Sequence, residues 1–364
     1  MAKRIIIAGG GTGGHIFPAI AIANALRKAD NAIEILFVGA KGKMEMEKVP
    51  QAGYKIEGLD IAGFNRSSLI KNISLPAKLV KSFLQVRSIF KKFKPDAVIG
   101  VGGYSSFPVL RFAQAKGIPS FIHESNSFAG KSNMLLGKKA TKVFVASDNM
   151  QQFFPQEKII ITGNPVRPDI VNVASIAKDE ALRFFNLQPG KKTVLIVGGS
   201  LGAKSINEAI ENGLAELTNA GLRVVWQTGK TEAQKWKDAA ANKKNVWVSD
   251  FIKEMQYAYA AADIVVSRAG AMAIAELCVV RKPVLFVPYP FAAEDHQTVN
   301  AQNLVQKNAA WVVKDSEAKE KLVALIIALA SDEQKQTELR KNIAPLAVTD
   351  ADKKIATEIL KTIK

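Results

Sequence analysis

Ser267-Arg-Ala-Gly-Ala-Met-Ala-Ile-Ala-Glu276 is the stretch whose reading decides the fold. The run before it, Ala262-Asp-Ile-Val-Val266, has the length and β-branched content of a buried strand. After it, Ile274, Leu277 and Cys278 fall on one helical face. A strand therefore ends, the chain turns at Gly270, and a helix begins. That geometry presents backbone N–H groups and the positive end of a helix dipole to an anion. Glu276 lies about two turns further on, where it would repel a phosphate but accept two hydrogen bonds from a ribose diol. A nucleotide diphosphate meets both demands. The competing reading is a plain turn with an exposed glutamate, and the rest of the chain decides between them.

The chain has 364 residues, enough for two or three domains, and 48% of them are hydrophobic. A single cysteine, Cys278, allows no internal disulfide and fits a reducing compartment. Met1-Ala-Lys-Arg runs straight into a strand, so no signal peptide is expected. The apolar run Leu322 to Ala330 is far shorter than the roughly 20 residues of a spanning helix. The net charge of +17 favours an anionic partner. No helix-turn-helix, zinc spacing or RNA-binding signature points to nucleic acid.

Working outward, the same grammar recurs. Arg4-Ile-Ile-Ile-Ala8 reads as a strand, Gly9 to Gly14 as a glycine loop, and Pro18 to Leu26 as a helix. The glycines do not match G-x-G-x-x-G, and no acidic residue ends the strand Ile33 to Val38, so a dinucleotide site is disfavoured. His15 follows the loop, beyond a strand's carboxyl end, where open α/β sheets bind ligands. Asp96 to Val101 leads into Gly102-Gly-Tyr-Ser-Ser-Phe-Pro108, and Ile118 to Ile122 into His123-Glu-Ser-Asn126. Polar residues at successive strand ends form one wall of a cleft. Gly163-Asn-Pro-Val-Arg167 marks a domain junction. Thr193 to Val197 and Gly198-Gly-Ser-Leu-Gly-Ala203 then repeat the opening. The expected architecture is α/β, two Rossmann-like domains with parallel sheets. The first is 1–163, with the helix 351–364 packing back onto it; the second is 164–350. Helices alone are expected after Ala301.

Residues 70 to 94 form a basic amphipathic stretch. Leu75, Leu79 and Phe83 share a face, Val86, Phe90 and Phe93 form a neighbouring stripe, and Lys71, Lys78, Lys81, Lys91, Lys92 and Lys94 surround them. It reads either as a helix covering a sheet or as a membrane-surface contact.

Seven of these motifs stand in an order that resembles glycosyltransferase family 28, essentially end to end. They are Gly10 to Pro18, Gly102 to Pro108, His123 to Asn126 with Ala129-Gly130, Gly163 to Arg167, Gly198 to Ala203, Ser267 to Ala271 with Glu276, and Glu294 to Gln297 with Asn300. The resemblance implies the GT-B architecture, two domains facing a central cleft. It implies an inverting transfer of GlcNAc from UDP-GlcNAc to the MurNAc 4-hydroxyl of undecaprenyl-linked lipid I, giving lipid II in peptidoglycan synthesis. By resemblance Ile252 pairs with uracil through its backbone, beside Phe251, and Glu276 takes the ribose. Ser200, Arg167 and the backbone of Ala271, Met272 and Ala273 face the diphosphate, Arg268 contacts the donor, and Gln297 and Asn300 read the sugar. Relatives often carry threonine at Ala273, so only its main chain is assigned. Thr12, Gly13, Gly14 and Asn126 reach the donor from the acceptor wall, which His15, Tyr104 and Ser105 also line.

The chemistry needs a base and a carrier for leaving-group charge. His15 is the leading base candidate, with Glu124 second. No Asp-x-Asp motif ends a strand, so no metal or other cofactor is expected, and Ser200, Arg167 and a helix dipole carry the charge. The resemblance places the protein peripherally on the cytoplasmic face of the bacterial inner membrane. Its partners there are anionic lipid and other cell-wall synthesis proteins. Three rivals stand: a UDP-GlcNAc 2-epimerase, a diacylglycerol glycosyltransferase of the same fold, and a module that only senses the sugar nucleotide.

Overall fold

The computed structural model describes residues 2–63, 75–241 and 243–363. The chain divides into two compact units. Unit 1 is Met1–Arg167 with Asp350–Lys364, and unit 2 is Pro168–Thr349.

Unit 1 runs β1 (Arg4–Ala8), α1 (Gly13–Ala29), β2 (Glu34–Ala40), α2 (Glu45–Gln51), β3 (Lys55–Leu59), α3 (Leu75–Phe93), β4 (Ala97–Gly100), α4 (Ser106–Ala115), β5 (Ser120–Glu124), α5 (Lys131–Gly137), β6 (Lys142–Val145) and β7 (Ile159–Ile161). Among the described residues its sheet has seven parallel strands in the order β3-β2-β1-β4-β5-β6-β7. Ile5 stands opposite both Ile35 and Ala97, so β1 lies between β2 and β4. The strand order reverses there, which opens a crevice at the carboxyl ends of β1 and β4.

Unit 2 continues with α6 (Pro168–Val171), α7 (Lys178–Phe184), β8 (Thr193–Val197), α8 (Lys204–Asn219), β9 (Arg223–Gln227), α9 (Ala233–Ala240), β10 (Val246–Ser249), α10 (Met255–Ala261), β11 (Ile264–Ser267), α11 (Ala271–Val280), β12 (Val284–Phe286), α12 (His296–Val305), β13 (Trp311–Val312), α13 (Ala318–Ser331) and α14 (Glu333–Ile343); α15 (Ala351–Thr362) returns to unit 1. Its six parallel strands run β10-β9-β8-β11-β12-β13, with the reversal between β8 and β11.

Parallel sheets covered on both faces need near-continuous apolar strands. Ile5, Ile6 and Ile7 are fully buried, alternating between two cores. One joins Ile5 and Ile7 to Ile22 and Leu26 of α1 and Ile355 and Ile359 of α15. The other joins Ile6 to Val86 and Phe90 of α3 and Val109 of α4.

Four elements differ from the sequence reading. Helix α1 begins at Gly13, not Pro18, on an extended Thr12. Pro18 inside it forgoes one backbone hydrogen bond. Strand β3, Lys-Ile-Glu-Gly-Leu, is an edge strand whose polar alternation hides it, and β13 breaks the run expected to be purely helical. In α3 the buried residues are Ser82, Val86, Ile89 and Phe90, so the stripe Leu75, Leu79, Phe83 does not form its inner face. Leu75 and Phe83 are half-buried, whereas Val80 and Leu84 are 62% exposed and Leu79 37%. The helix docks by its carboxyl half and leaves its amino half open. Lys71 lies outside the described residues.

Candidate active site

In unit 2 the decisive turn is as the sequence implies. Gly270 is the extended residue before α11, and Ile274 N–H donates to the Gly270 carbonyl. The main chain of Ala271, Met272 and Ala273 forms the helix's first turn, whose N–H groups have no acceptor within the helix. Glu276 follows on the same helix, half-buried, and accepts the Tyr259 hydroxyl at 3.0 Å. The Asn300 side chain, 4% exposed, donates to the Ala269 carbonyl at 3.3 Å and braces the turn. Gln297 accepts the Tyr289 N–H at 3.0 Å.

Across the reversal from β11, the loop after β8 carries Ser200, exposed. A residue that the sequence reading passed over ties this loop in place. Gln227, 3% exposed at the end of β9, donates to the Gly199 carbonyl at 3.2 Å and accepts the Ile252 N–H at 2.9 Å. It links the 198–203 loop to the Phe251-Ile252 pair, of which Ile252 is buried and Phe251 half exposed. Only a buried polar residue at a strand end, next to Thr228-Gly229, signals it in the sequence.

Arg268, expected to contact the donor, has its guanidinium engaged within unit 2. Its guanidinium donates to the Val287 carbonyl at 3.0 Å, to the Pro288 carbonyl at 3.1 Å, to Asp315 and to Ser205 Oγ at 3.2 Å. A fork so committed holds the 287–289 segment and the start of α8.

In unit 1 the loops after β1 and β4 meet. Gly10 N–H donates to the Gly102 carbonyl at 3.2 Å. The His15 ring lies against Gly102, whose φ of +98° favours glycine and where a Cβ would sit 2.5 Å from the ring. Thr12 is exposed, Gly13, Gly14 and His15 are half-buried, and the Thr12 carbonyl accepts the His15 N–H at 3.1 Å. Tyr104 is 52% exposed with its ring over Gly63, and Ser105 is buried. Arg167 stacks its guanidinium over the Phe17 ring, 5.4 Å from the centroid.

His123 and Glu124 are both buried, with different consequences. Burial pushes His123 down to about 4, the Gly163 backbone opposing this and His15 adding to it. Glu124 accepts the Asn126 N–H at 3.0 Å, Asn126 Nδ2 at 3.2 Å, the Gly130 N–H at 3.1 Å and Asn133 Nδ2 at 2.8 Å. Both oxygens are spent on folding the 125–130 loop and starting α5. Asn126 is thereby held at the loop's start.

The model of the glycosyltransferase family 28 N-terminal domain matches residues 5–145, and that of the glycosyltransferase family 28 C-terminal domain matches residues 193–356. The chain belongs to glycosyltransferase family 28. A family member from Phocaeicola vulgatus is 52% identical over 361 residues, 98% of this chain and 96% of the relative. That relative is named UDP-N-acetylglucosamine--N-acetylmuramyl-(pentapeptide) pyrophosphoryl-undecaprenol N-acetylglucosamine transferase. A crystal structure of Acinetobacter baumannii MurG superimposes with a TM-score of 0.79 at 29% identity, over 99% of each chain. The two parallel-sheet units are its GT-B fold. A UDP-GlcNAc 2-epimerase from Neisseria meningitidis shares the fold, with a TM-score of 0.68 at 17% identity over 99% of this chain and 100% of the epimerase.

Proposed function

We propose that this family 28 enzyme transfers GlcNAc from UDP-GlcNAc to the 4-hydroxyl of MurNAc in undecaprenyl-diphospho-MurNAc-pentapeptide. The product is lipid II of the bacterial cell wall, with inversion at the anomeric carbon. The observation that carries it is the Gly270 turn with Glu276 on the following helix, in a chain about half identical, end to end, to a relative named for this transfer.

In this reading the diphosphate sits at the first turn of α11 beside Ser200, where fixed dipoles stabilise the charge that grows on the leaving UDP. Glu276 accepts the ribose hydroxyls, and Gln297 and Asn300 read the sugar. His15 takes the proton from the acceptor hydroxyl; imidazole is the side chain whose ordinary pKa suits this at neutral pH.

The acceptor's undecaprenyl tail stays in the bilayer, so the enzyme works at its surface. Among the described residues no helix is long and apolar enough to cross a membrane. Peripheral binding to the cytoplasmic leaflet through α3 fits the exposed Leu79, Val80 and Leu84. A groove of about 520 Å³ at the other end of α3, lined by Arg4, Arg87, Lys91, Lys94 and Lys116 over Phe90, supplies cations for anionic lipid.

The test is transfer of labelled GlcNAc to a lipid I analogue, with diacylglycerol and UDP-GlcNAc alone as controls. Label on the lipid I analogue supports the reading. Label on diacylglycerol alone, or conversion of UDP-GlcNAc to UDP-ManNAc without acceptor, rejects it.

A further inference from the structure

Glu45 opens α2 and is 1% exposed, yet among the described residues it pairs with no lysine or arginine. Burying a carboxylate without a cation is costly unless hydrogen bonds replace its water. Here two do. Oε1 accepts the Ala40 N–H at 2.9 Å, and Oε2 accepts the Gly11 N–H at 2.7 Å. The chain makes room for it twice: a Cβ on Gly10 would stand 2.2 Å from the carboxyl carbon, and one on Gly39 2.5 Å from Cγ.

From there the contacts run backbone to backbone as far as His15. Gly10 N–H holds the Gly102 carbonyl, a Cβ on Gly103 would stand 2.4 Å from the Gly10 carbonyl oxygen, and Gly102 abuts the His15 ring. The same loop passes through Thr12 into the first turn of α1, which carries His15. The carboxylate thus anchors His15 from two sides, through its own helix start and through the glycine pair its ring leans on. We infer that Glu45 is a positioning residue for the transfer reaction, setting the Gly9–Thr12 loop and through it the place of the His15 imidazole. The inference rests on His15 being the base.

The experiment is a double-mutant cycle in the full-length enzyme. Glu45→Gln keeps the shape but turns one acceptor into a donor facing an N–H group. Its kcat should fall roughly 10- to 100-fold, the penalty of a small misplacement, while the UDP-GlcNAc Kd and the acceptor KM stay within about twofold. Glu45→Gln added to His15→Ala should then slow the enzyme no further, since groups that act as a unit are not additive. A slow His15→Ala beside a Glu45→Gln variant of normal kcat overturns the inference alone, as do losses that multiply in the double variant. A His15→Ala variant of normal turnover overturns the base assignment and the inference with it. If Glu45→Gln fails to fold, Glu45→Asp, which keeps the carboxylate on a shorter arm, enters the same cycle under the same criteria.

Discussion

The Tyr259 hydroxyl donates to Oε2 of Glu276 at 3.0 Å, joining α10 to α11 directly behind the proposed ribose site. The phenol holds the carboxylate proposed to meet the diol. Tyr259→Phe is expected to weaken UDP-GlcNAc binding by the worth of one hydrogen bond, about 0.5–1.5 kcal/mol, or a few-fold in Kd. Glu276→Ala removes the acceptor itself and should cost one to two orders of magnitude, roughly 1.5–3 kcal/mol. Calorimetry with UDP-GlcNAc ranks the two, and the reverse ranking would move the ribose away from Glu276.

Arg268 predicts a different phenotype from the one its position in the turn suggests. Its carbonyl, Asp315 and Ser205 partners make it a brace. Arg268→Ala should lower the stability of unit 2 by about 2–3 kcal/mol, the scale of hydrogen bonds to a charged group. Donor affinity at a temperature where the variant is folded should change little. Thermal unfolding with and without UDP-GlcNAc separates these effects; a large loss of affinity at unchanged Tm would place Arg268 at the donor.

Val80 and Leu84 are the residues of α3 to alter when testing the membrane contact. Both are exposed, so Val80→Ser with Leu84→Ser should leave stability within about 0.5 kcal/mol per site. Vesicle sedimentation on anionic lipid and turnover of the long-chain acceptor should both fall, while a short soluble acceptor is still used. Phe83→Ser is the contrasting control, since the half-buried ring should cost stability. Equal vesicle binding by parent and double variant would assign the contact elsewhere.

His123 gives unit 1 a pH-dependent stability. Its pKa drops from 6.5 to about 4 on folding because burial disfavours the charged ring. The unfolded chain therefore binds a proton that the folded one refuses between those values. Stability is complete above pH 6.5 and is lost as the pH falls towards 4, by about 3 kcal/mol. Denaturant midpoints at pH 7 and pH 4.5 should differ accordingly, and His123→Asn should flatten the difference. An unchanged slope in the variant would attribute the loss to other groups.

The repeating motif of strand, glycine loop and helix was legible because Ile5 to Ala8 and Val194 to Val197 are apolar throughout and each runs into glycines. That regularity carried the two sheets and the Gly270 turn. What escaped was polar and tertiary. Glu45 sits in the charged run Lys41 to Lys48 and looks like a surface residue until β1 and β2 bring Gly10 and Gly39 around it. Gln227 shows the same limit: it has no motif and ties two loops. In α3 the sequence showed two apolar stripes, and of these Val86 and Phe90 are buried while Leu79 is exposed, because the helix docks over only half its length.

The return of α15 to unit 1 bears on how the protein is made. Lys142 pairs with Glu358 at 2.7 Å, and Ile355 and Ile359 complete the core around Ile22 and Leu26. On the ribosome, unit 2 is translated whole before α15, so the first unit to begin synthesis is the last to close. Until then the α1 face stands open to water, and chaperones that recognise apolar helices have their longest opportunity there.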